Sequence, residues 1–291
     1  MVLEKFKIWV LATRANTLVV SICPIFLGSA LALKVTNINF SVFLLTLCYG
    51  LFLHIGTNLS NDYYDYLKGV DTDNRIAPFS TIQLNLTSLK EIKIAFSLSF
   101  ILAFFTGLIL AFKSNILVAT LFPIPIFFGL YYTKGKNPLG YMGLGEILVL
   151  IFFGPFASFG SYYLQTMKFS VLPIVVGLAP GLFSTAILVV NNLRDIDCDK
   201  RAKKNTLSVR FGKNFTKVEY YICLIAIFFI PVIYFSITKN YLVLLANFAI
   251  LLAPIKTIKN FKDLKVLNIA LQKTVLSMIL FSLIFFLGIL F

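Results

Sequence analysis

Charged residues are scarce in this chain. Only 13% of its 291 residues are Asp, Glu, Lys or Arg, whereas a soluble domain has about 25%. Apolar residues make up 59%, and the mean hydropathy is +0.90. So little charge could not cover this many Phe, Leu and Ile side chains in water, and the apolar content excludes disorder. The composition therefore predicts a membrane protein with many spans.

Cysteine and histidine are also few. Cys23, Cys48, Cys198 and Cys223 lie far apart without paired spacing, which indicates neither a disulfide framework nor a zinc site. His54 is the single histidine and lies in an apolar run. It could act as a general base, but a packed histidine is the commoner case at such a position.

Nine apolar stretches approach the length of roughly 20 residues that a transmembrane helix needs. They are Ala15–Leu33, Phe40–Thr57, Ile94–Phe112, Asn115–Tyr132, Gly143–Leu164, Val171–Asn192, Val218–Ile237, Tyr241–Ile255 and Thr274–Phe291. The eighth is the shortest. We therefore predict an all-α polytopic membrane protein, with nine helices in one bundle. Residues 1–291 form a single transmembrane domain, and residues 1–14 lie on the membrane interface.

The basic residues predict how these spans are oriented. With nine spans, all but four of the 26 Lys and Arg residues fall on the side of the N-terminus. The four exceptions are Lys34, Lys113, Lys168 and Lys239. Because basic loops stay inside, the N-terminus and the large loops are expected in the cytoplasm, with the cell (inner) membrane as the location. The net charge of +14 thus reflects the orientation of the spans in the membrane. The partner that it predicts is the lipid bilayer and not nucleic acid.

Acidic residues are concentrated in two places. Seven of the twelve lie in short segments that directly follow the second and sixth spans, on the expected cytoplasmic side. These are Asp62, Asp65, Asp71, Asp73, Asp195, Asp197 and Asp199. Carboxylates near membrane depth cost a few kcal/mol each, so they are usually retained for an ion or a substrate. The alternative is a pair of solvated loops that cap helix ends.

Helical spacing arranges these acids in two columns. If each span continues as a helix, the first column consists of Asn58, Asp62 and Asp65, and the second of Asn191, Asp195 and Asp199. Asp197 would point away from its column. Carboxylate and amide oxygens without His or Cys suit Mg²⁺, which often takes further ligands from phosphate groups. We therefore predict Mg²⁺ at Asp62, Asp65, Asp195 and Asp199.

Four spans separate the two columns. This spacing predicts two diverged four-helix repeats plus one helix, with the site between the repeats. Basic residues flank both columns, among them Lys68, Arg75, Arg194 and Lys204. The orientation rule alone explains basic loops, but a metal-bound diphosphate would also need cations at these positions.

Four segments of the chain are typical of one known family: residues 14–18, Asn58–Asp73 (NLSNDYYDYLKGVDTD), Tyr132–Glu146 (YTKGKNPLGYMGLGE) and Asn191–Gly212 (NNLRDIDCDKRAKKNTLSVRFG). Through them the sequence resembles the UbiA superfamily of intramembrane prenyltransferases almost from end to end. This resemblance implies a nine-helix fold with two Asp-rich motifs that bind Mg²⁺ and a polyprenyl diphosphate. The NNLRDID and GLGE segments favour the branch that prenylates 1,4-dihydroxy-2-naphthoate, with decarboxylation, in menaquinone biosynthesis.

The resemblance also implies roles for individual residues. Asp62, Asp65, Asp195 and Asp199 would be catalytic through the metal. The substrate-binding residues would be Asn58, Lys68, Arg75, Tyr132, Asn191, Arg194 and Lys204. Tyr132 would place its ring near a carbocation. Glu146 is a candidate near the aromatic acceptor, although the dipole at a helix N-terminus would also explain an acid there.

Two alternatives stay open at the sequence level. The acceptor could be 4-hydroxybenzoate, another aromatic, or a glycerol-phosphate lipid precursor. A cation transporter could also contain acidic clusters, but it would need acids at the bilayer midplane or on both faces. Because the acids here cluster at one face, an enzyme is the favoured prediction.

Overall fold

The fold is entirely helical over the residues that the computed structural model describes, which are 2–70, 77–78 and 80–291. This confirms the predicted all-α class. The α-helices are α1 (Val2–Ala12), α2 (Val19–Leu33), α3 (Phe40–Leu67), α4 (Leu89–Lys113), α5 (Ile116–Leu121), α6 (Pro123–Tyr131), α7 (Gly145–Phe152), α8 (Pro155–Thr166), α9 (Leu172–Arg201), α10 (Leu207–Thr238), α11 (Ile255–Asn260) and α12 (Val266–Leu290). Short 3₁₀ helices cover Ala15–Thr17 and Leu139–Met142, and a longer one covers Tyr241–Leu252.

Eight helical stretches of the described chain are long and apolar enough to cross a membrane. The predicted span Asn115–Tyr132 corresponds to a shorter apolar stretch, Ile116–Tyr131, which is divided into α5 and α6 at Pro123. Proline there lacks an N–H group and clashes with the preceding turn. The shortest of the predicted spans is therefore the fourth and not the eighth. The count of nine transmembrane helices stays a prediction.

The predicted eighth span corresponds to a longer apolar stretch, Tyr241–Asn260, in which a 3₁₀ helix is followed after Ala253 and Pro254 by α11. Its first twelve residues form the 3₁₀ helix. A 3₁₀ helix rises about 2.0 Å per residue, so this part alone covers about 24 Å. Because a residue of a 3₁₀ helix advances further along the axis than a residue of an α-helix, these few residues can cross most of a bilayer core.

Helices α3 and α9 are longer than the core of a bilayer is thick. They contain 28 and 30 residues, or about 42 and 45 Å of helix, whereas the core of a bilayer is about 30 Å thick. The C-terminal turns of α3 carry Asp62 and Asp65, and those of α9 carry Asp195, Asp197 and Asp199. Helix α9 packs against α2, α7, α8, α10 and α12, and its Phe183 and Val189 are fully buried.

Glycines allow the break between α7 and α8 to pack directly on α9. A Cβ atom on Gly181 would lie 2.5 Å from the carbonyl oxygen of Leu150. One on Gly177 would lie 2.9 Å from the backbone of Gly154, which separates α7 from α8. Such close backbone contact between membrane helices requires residues without a side chain. The contact fixes the C-terminal end of α7 and the start of α8 against the first part of α9.

The outer faces of the bundle are apolar. Ile101 and Phe105 on α4 are more than half exposed, as are Ile225 and Phe229 on α10. Large apolar side chains in this number on a surface are typical of contact with lipid. With the eight long apolar helices, they make the chain a multi-pass membrane protein.

Candidate active site

The first acidic column lies on the last turns of α3. Asp62 is buried and forms a salt bridge with the guanidinium group of Arg14. One turn earlier, Nδ2 of Asn58 donates a hydrogen bond to the carbonyl oxygen of Thr13 at 3.2 Å. The column therefore holds the turn that connects α1 to α2.

The second column lies on the last turns of α9, where Arg194 organises it. Its Nε and Nη2 atoms donate to the two carboxylate oxygens of Asp195 at 2.9 and 2.7 Å. Its Nη1 atom donates to Oδ1 of Asn268 on α12 at 2.8 Å, and Nη2 also contacts Oδ1 of Asn191. Arg194 is buried, so the guanidinium group is fixed from both helices.

The remaining acids of α9 separate by face, as the helical spacing predicts. The side chain of Asp197 is 60% exposed and lies 3.8 Å from Nζ of Lys213. Asp199 is 3% exposed and lines the same cavity as Asp195. Only Asp195 and Asp199 of this segment are thus placed to act together.

Lys204 joins the two columns. Its Nζ atom lies 3.7 Å from Oδ2 of Asp65 on α3 and 3.7 Å from Oδ1 of Asp199 on α9. Lys203 has a φ angle of +56°, and this turn lets the backbone N–H of Lys204 bond to the carbonyl of Asp199 at 2.8 Å. Burial alone would lower the pKa of Lys204, but the two carboxylates outweigh it and the pKa lies above its ordinary value. Lys204 therefore stays cationic between the columns.

Tyr141 supports this arrangement from the loop before α7. Its hydroxyl group donates to Oδ1 of Asp65 at 2.7 Å. Its ring lies under the ammonium groups of Lys68 and Lys204, with 4.4 and 5.4 Å to the ring centroid, which is within the range of cation–π attraction. The backbone N–H of Asn205 donates to the carbonyl of Tyr141 at 2.9 Å. Tyr141 thus connects the loops of the two halves at the carboxylates.

Lys68 is placed beside the cavity rather than in it. Its Nζ atom donates to the carbonyl oxygen of Thr133 at 2.7 Å while it lies over the Tyr141 ring. Burial lowers the pKa of Lys68, against the attraction of Asp65. Arg75, Asp71 and Asp73, which the sequence also singled out, lie outside the described residues.

Tyr132 lines the cavity, and two glycines make room for it. A Cβ atom on Gly140 would lie 2.9 Å from the Tyr132 ring, and one on Gly145 would lie 2.8 Å from its hydroxyl oxygen. The next residue, Glu146, is buried and accepts a hydrogen bond from Nδ2 of Asn192 at 2.8 Å. Glu146 therefore braces α7 against α9 instead of lining the cavity.

A cavity of about 730 Å³ extends from the carboxylates into the bundle. Along α3 its lining runs from Thr46 to Asp65, which is about 28 Å of helix. The charged residues are all at one end, and the walls beyond them include Phe122, Phe128 and Phe156. The shape suits a molecule with an anionic head and a long apolar tail.

The donors at the charged end fit Mg²⁺. Within the described residues, no three Asp, Glu, His or Cys side chains are close enough to chelate one ion alone. Each column instead offers two carboxylates and an amide oxygen. Mg²⁺ usually binds one or two carboxylates and completes its shell with water and substrate phosphates, so the columns fit metals that arrive with a diphosphate.

Sequence reasoning missed three residues of this site: Arg14, Tyr141 and Asn268. Arg14 begins one of the segments that carry the resemblance, but a basic residue before a first span is already explained by the orientation rule. Tyr141 lies in a segment already noted for its resemblance, but nothing in the sequence relates it to Asp65. Asn268 is a polar residue in the first turn of the apolar helix α12. Its polarity was the one feature of the sequence that could have pointed to it.

Comparisons with known proteins agree with this geometry. Residues 21–267 match the model of the UbiA prenyltransferase family. The 1,4-dihydroxy-2-naphthoate octaprenyltransferase of Haemophilus influenzae is 39% identical, with 73% of this chain and 71% of that protein covered. The protein of the same name from Escherichia coli is 33% identical, with 99% and 96% covered.

The fold has a counterpart among solved structures. A UbiA homolog from Archaeoglobus fulgidus, bound to DMAPP and Mg²⁺, superposes with a TM-score of 0.62 at 16% identity, with 97% of this chain and 98% of that chain covered. At this identity the likeness shows the fold alone.

Proposed function

This chain belongs to the UbiA prenyltransferase family, and from that premise we propose that it transfers a polyprenyl group from polyprenyl diphosphate to 1,4-dihydroxy-2-naphthoate. The transfer releases the carboxylate of the acceptor as CO₂, as a step of menaquinone biosynthesis. One transmembrane domain, residues 1–291, would carry the whole activity. The observation that carries the proposal is the cavity with two carboxylate columns at one end and an apolar wall along the rest. The naphthoate acceptor is supported by relatives of that name that match most of this chain.

The charged end would bind the diphosphate. In this proposal Asp62, Asp65, Asp195 and Asp199 hold Mg²⁺, assisted by the amide oxygens of Asn58 and Asn191. Bound Mg²⁺ would neutralise the charge that develops on the leaving diphosphate. Lys204 and Arg194 already lie at the carboxylates, so their charge is preorganised for the remaining phosphate oxygens. Lys68 would add to the positive charge around the diphosphate. So would Arg75, which was singled out from the sequence.

The apolar part of the cavity would hold the polyprenyl tail and exclude water. Breaking the allylic C–O bond leaves its electron pair on the diphosphate and a cation on the tail, which water would quench. A cation over an aromatic face gains about 0.5–2 kcal/mol, and Tyr132 presents such a ring at the charged end of the cavity. An enclosed, aromatic site therefore serves the chemistry directly.

The location follows from the charge distribution. With basic loops on the side of the N-terminus, the active site would face the cytoplasm and the protein would lie in the cell (inner) membrane. The carboxylates, Lys204 and Tyr141 all lie at that end of the bundle. Such a site would take a soluble aromatic acceptor from the cytoplasm and a tail from the bilayer.

The test is a panel of acceptors with one polyprenyl diphosphate and purified protein. We expect prenyl transfer to 1,4-dihydroxy-2-naphthoate with release of CO₂, detected by mass spectrometry. Chelating the metal with EDTA should abolish transfer, and Mg²⁺ should restore it. If the protein prenylates only 4-hydroxybenzoate or a glycerol-phosphate lipid precursor, the assignment of the naphthoate acceptor is wrong. Ion flux in liposomes without any prenyl transfer would favour a transporter.

A further inference from the structure

His54 lies in the wall of the cavity. It is 7% exposed and is among the lining residues, although it is the single histidine of the chain. On α3 it precedes Asn58 by one turn and lies about 12 Å along the helix axis from Asp62. Its ring meets the edge of Phe153, with 4.9 Å between the centroids. The imidazole and the carboxylates of α3 therefore line one cavity from positions about two helical turns apart.

The neighbours of His54 determine which ring nitrogen carries the hydrogen. Its Nδ1 atom lies 3.3 Å from Oγ of Ser21. The hydroxyl of Ser21 donates to the carbonyl oxygen of Leu18 at 2.8 Å. A serine hydroxyl has one hydrogen, so Ser21 accepts from His54. Nδ1 therefore carries the hydrogen, and Nε2 of the neutral ring has the free lone pair.

Nothing in the described part of the chain hydrogen-bonds to Nε2 of His54, and the atom is not sealed inside the protein. An acceptor atom in an apolar cavity loses free energy when it has no partner. The ring cannot turn away cheaply, because Ser21 and Phe153 fix it on two sides. The lone pair is thus held ready for a donor on a ligand.

We propose that Nε2 of His54 accepts a hydrogen bond from a hydroxyl group of the aromatic acceptor and takes its proton during prenyl transfer. This assignment rests on the proposed function, because it needs a hydroxylated ring as the second substrate. The ring would lie between His54 and the diphosphate, with its reacting carbon toward the allylic end of the tail. His54 would then also select for acceptors with a free hydroxyl at that position.

The proton balance closes without a further reactant. As the ring carbon forms its bond to the allylic carbon, the hydroxyl proton moves to Nε2 and the O–H electron pair enters the ring as a C=O bond. The bond from the ring carbon to the carboxylate then breaks, and CO₂ leaves. Its electron pair restores the aromatic ring, and the oxygen recovers the proton from Nε2. His54 ends in its starting state, as a general base must.

The test compares His54→Leu with wild type on 1,4-dihydroxy-2-naphthoate and on its two monomethyl ethers. The wild type should prefer the free diol strongly over one of the ethers. His54→Leu should lose roughly 10²-fold in kcat/KM on the diol, as for loss of a general base. It should lose little on that ether, so its preference for the diol disappears. His54→Gln, whose amide oxygen also accepts, should keep a larger share of the activity.

Controls separate this role from packing. Ser60→Ala changes a buried residue of α3 outside the cavity lining, whose hydroxyl is bonded to the carbonyl of Thr57, and should behave as wild type. Ser21→Ala should cost an intermediate amount, because it frees Nδ1 to change tautomer. The KM for polyprenyl diphosphate should stay unchanged in all variants.

Two outcomes would overturn the assignment of His54. Equal losses of His54→Leu on the diol and both ethers would make it a packing residue, and undiminished activity on the diol would leave it without a role. If the wild type prenylates no naphthoate at all, the proposed function fails first and this assignment falls with it.

Discussion

Every aspartate proposed as a metal ligand contacts a basic side chain. The pairs are Arg14 with Asp62, Arg194 with Asp195, and Lys204 with both Asp65 and Asp199. Buried carboxylates need such partners, because an uncompensated buried charge costs several kcal/mol. The same cations would serve the diphosphate once metal ions take the carboxylates. The residues of the site thus have partners both before and after substrate arrives.

Replacing any of these aspartates by asparagine tests their role. Asp62→Asn, Asp65→Asn, Asp195→Asn and Asp199→Asn should each lower kcat/KM by roughly 10²-fold or more, as for loss of a preorganised charge. Prenyl transfer at several Mg²⁺ concentrations and thermal unfolding in detergent should be measured together. Wild-type turnover in all four at saturating Mg²⁺ would show that the carboxylates do not bind the metal.

Tyr141 offers a second test, because its hydroxyl and its ring do different things. Tyr141→Phe keeps the ring under Lys68 and Lys204 but loses the hydrogen bond to Asp65. A hydrogen bond to a charged group is worth about 1.5–3 kcal/mol, so the half-saturating Mg²⁺ concentration should rise roughly tenfold. Tyr141→Leu should be worse, since it also removes the cation–π contacts. If both variants need the same Mg²⁺ as the wild type, Tyr141 does not position Asp65.

At the scale of elements, the helix of α9 separates its acids by face. Asp197 is about 200° from Asp195 on the helix and points to Lys213. Asp197→Asn should therefore keep most of the activity that Asp195→Asn and Asp199→Asn lose. Equal losses at all three positions, without any dependence on Mg²⁺, would instead indicate a solvated acidic cap.

The packing of α9 on α7 and α8 gives a stability prediction. Gly181→Ala would bring a Cβ atom within 2.5 Å of the Leu150 carbonyl and should cost about 1–3 kcal/mol, as overpacking does. Gly160→Ala on α8 is the matched control, since nothing lies within 4 Å of the added carbon. It should be neutral or gain up to about 1 kcal/mol of helix propensity. Thermal unfolding of both variants in detergent measures the difference, and equal midpoints would contradict the close contact.

The two acidic columns were predictable because they depend on helical periodicity, which the sequence displays. The helices α3 and α9 do continue through Asp65 and Asp199. The reach of Lys204 across both columns was not predictable. It depends on where loops run in space, and the periodicity of a single helix contains no information on that. For the same reason the contact of Lys68 with the Tyr141 ring was not predictable, and a contact of Lys68 with the diphosphate stays a prediction.

For the whole molecule, the orientation in the membrane is the main prediction still to test. Single reporter cysteines in place of Lys213 and Lys262 should be labelled from the cytoplasm, and one in place of Lys168 from outside. The native cysteines must first be removed, and three of them (Cys23, Cys198 and Cys223) are buried. Labelling of the Lys168 position only from the cytoplasm would overturn the arrangement of spans.

The cavity that runs about 28 Å along α3 determines where binding energy comes from. A polyprenyl tail in a bilayer is already dissolved in hydrocarbon, and lipid is as apolar as the Phe and Leu side chains of the wall. Moving the tail from lipid to cavity therefore changes its solvation little, however many isoprene units are enclosed. The affinity for the substrate must therefore come almost entirely from the diphosphate. The enzyme should select substrates by their head groups and discriminate only weakly between tails of different length.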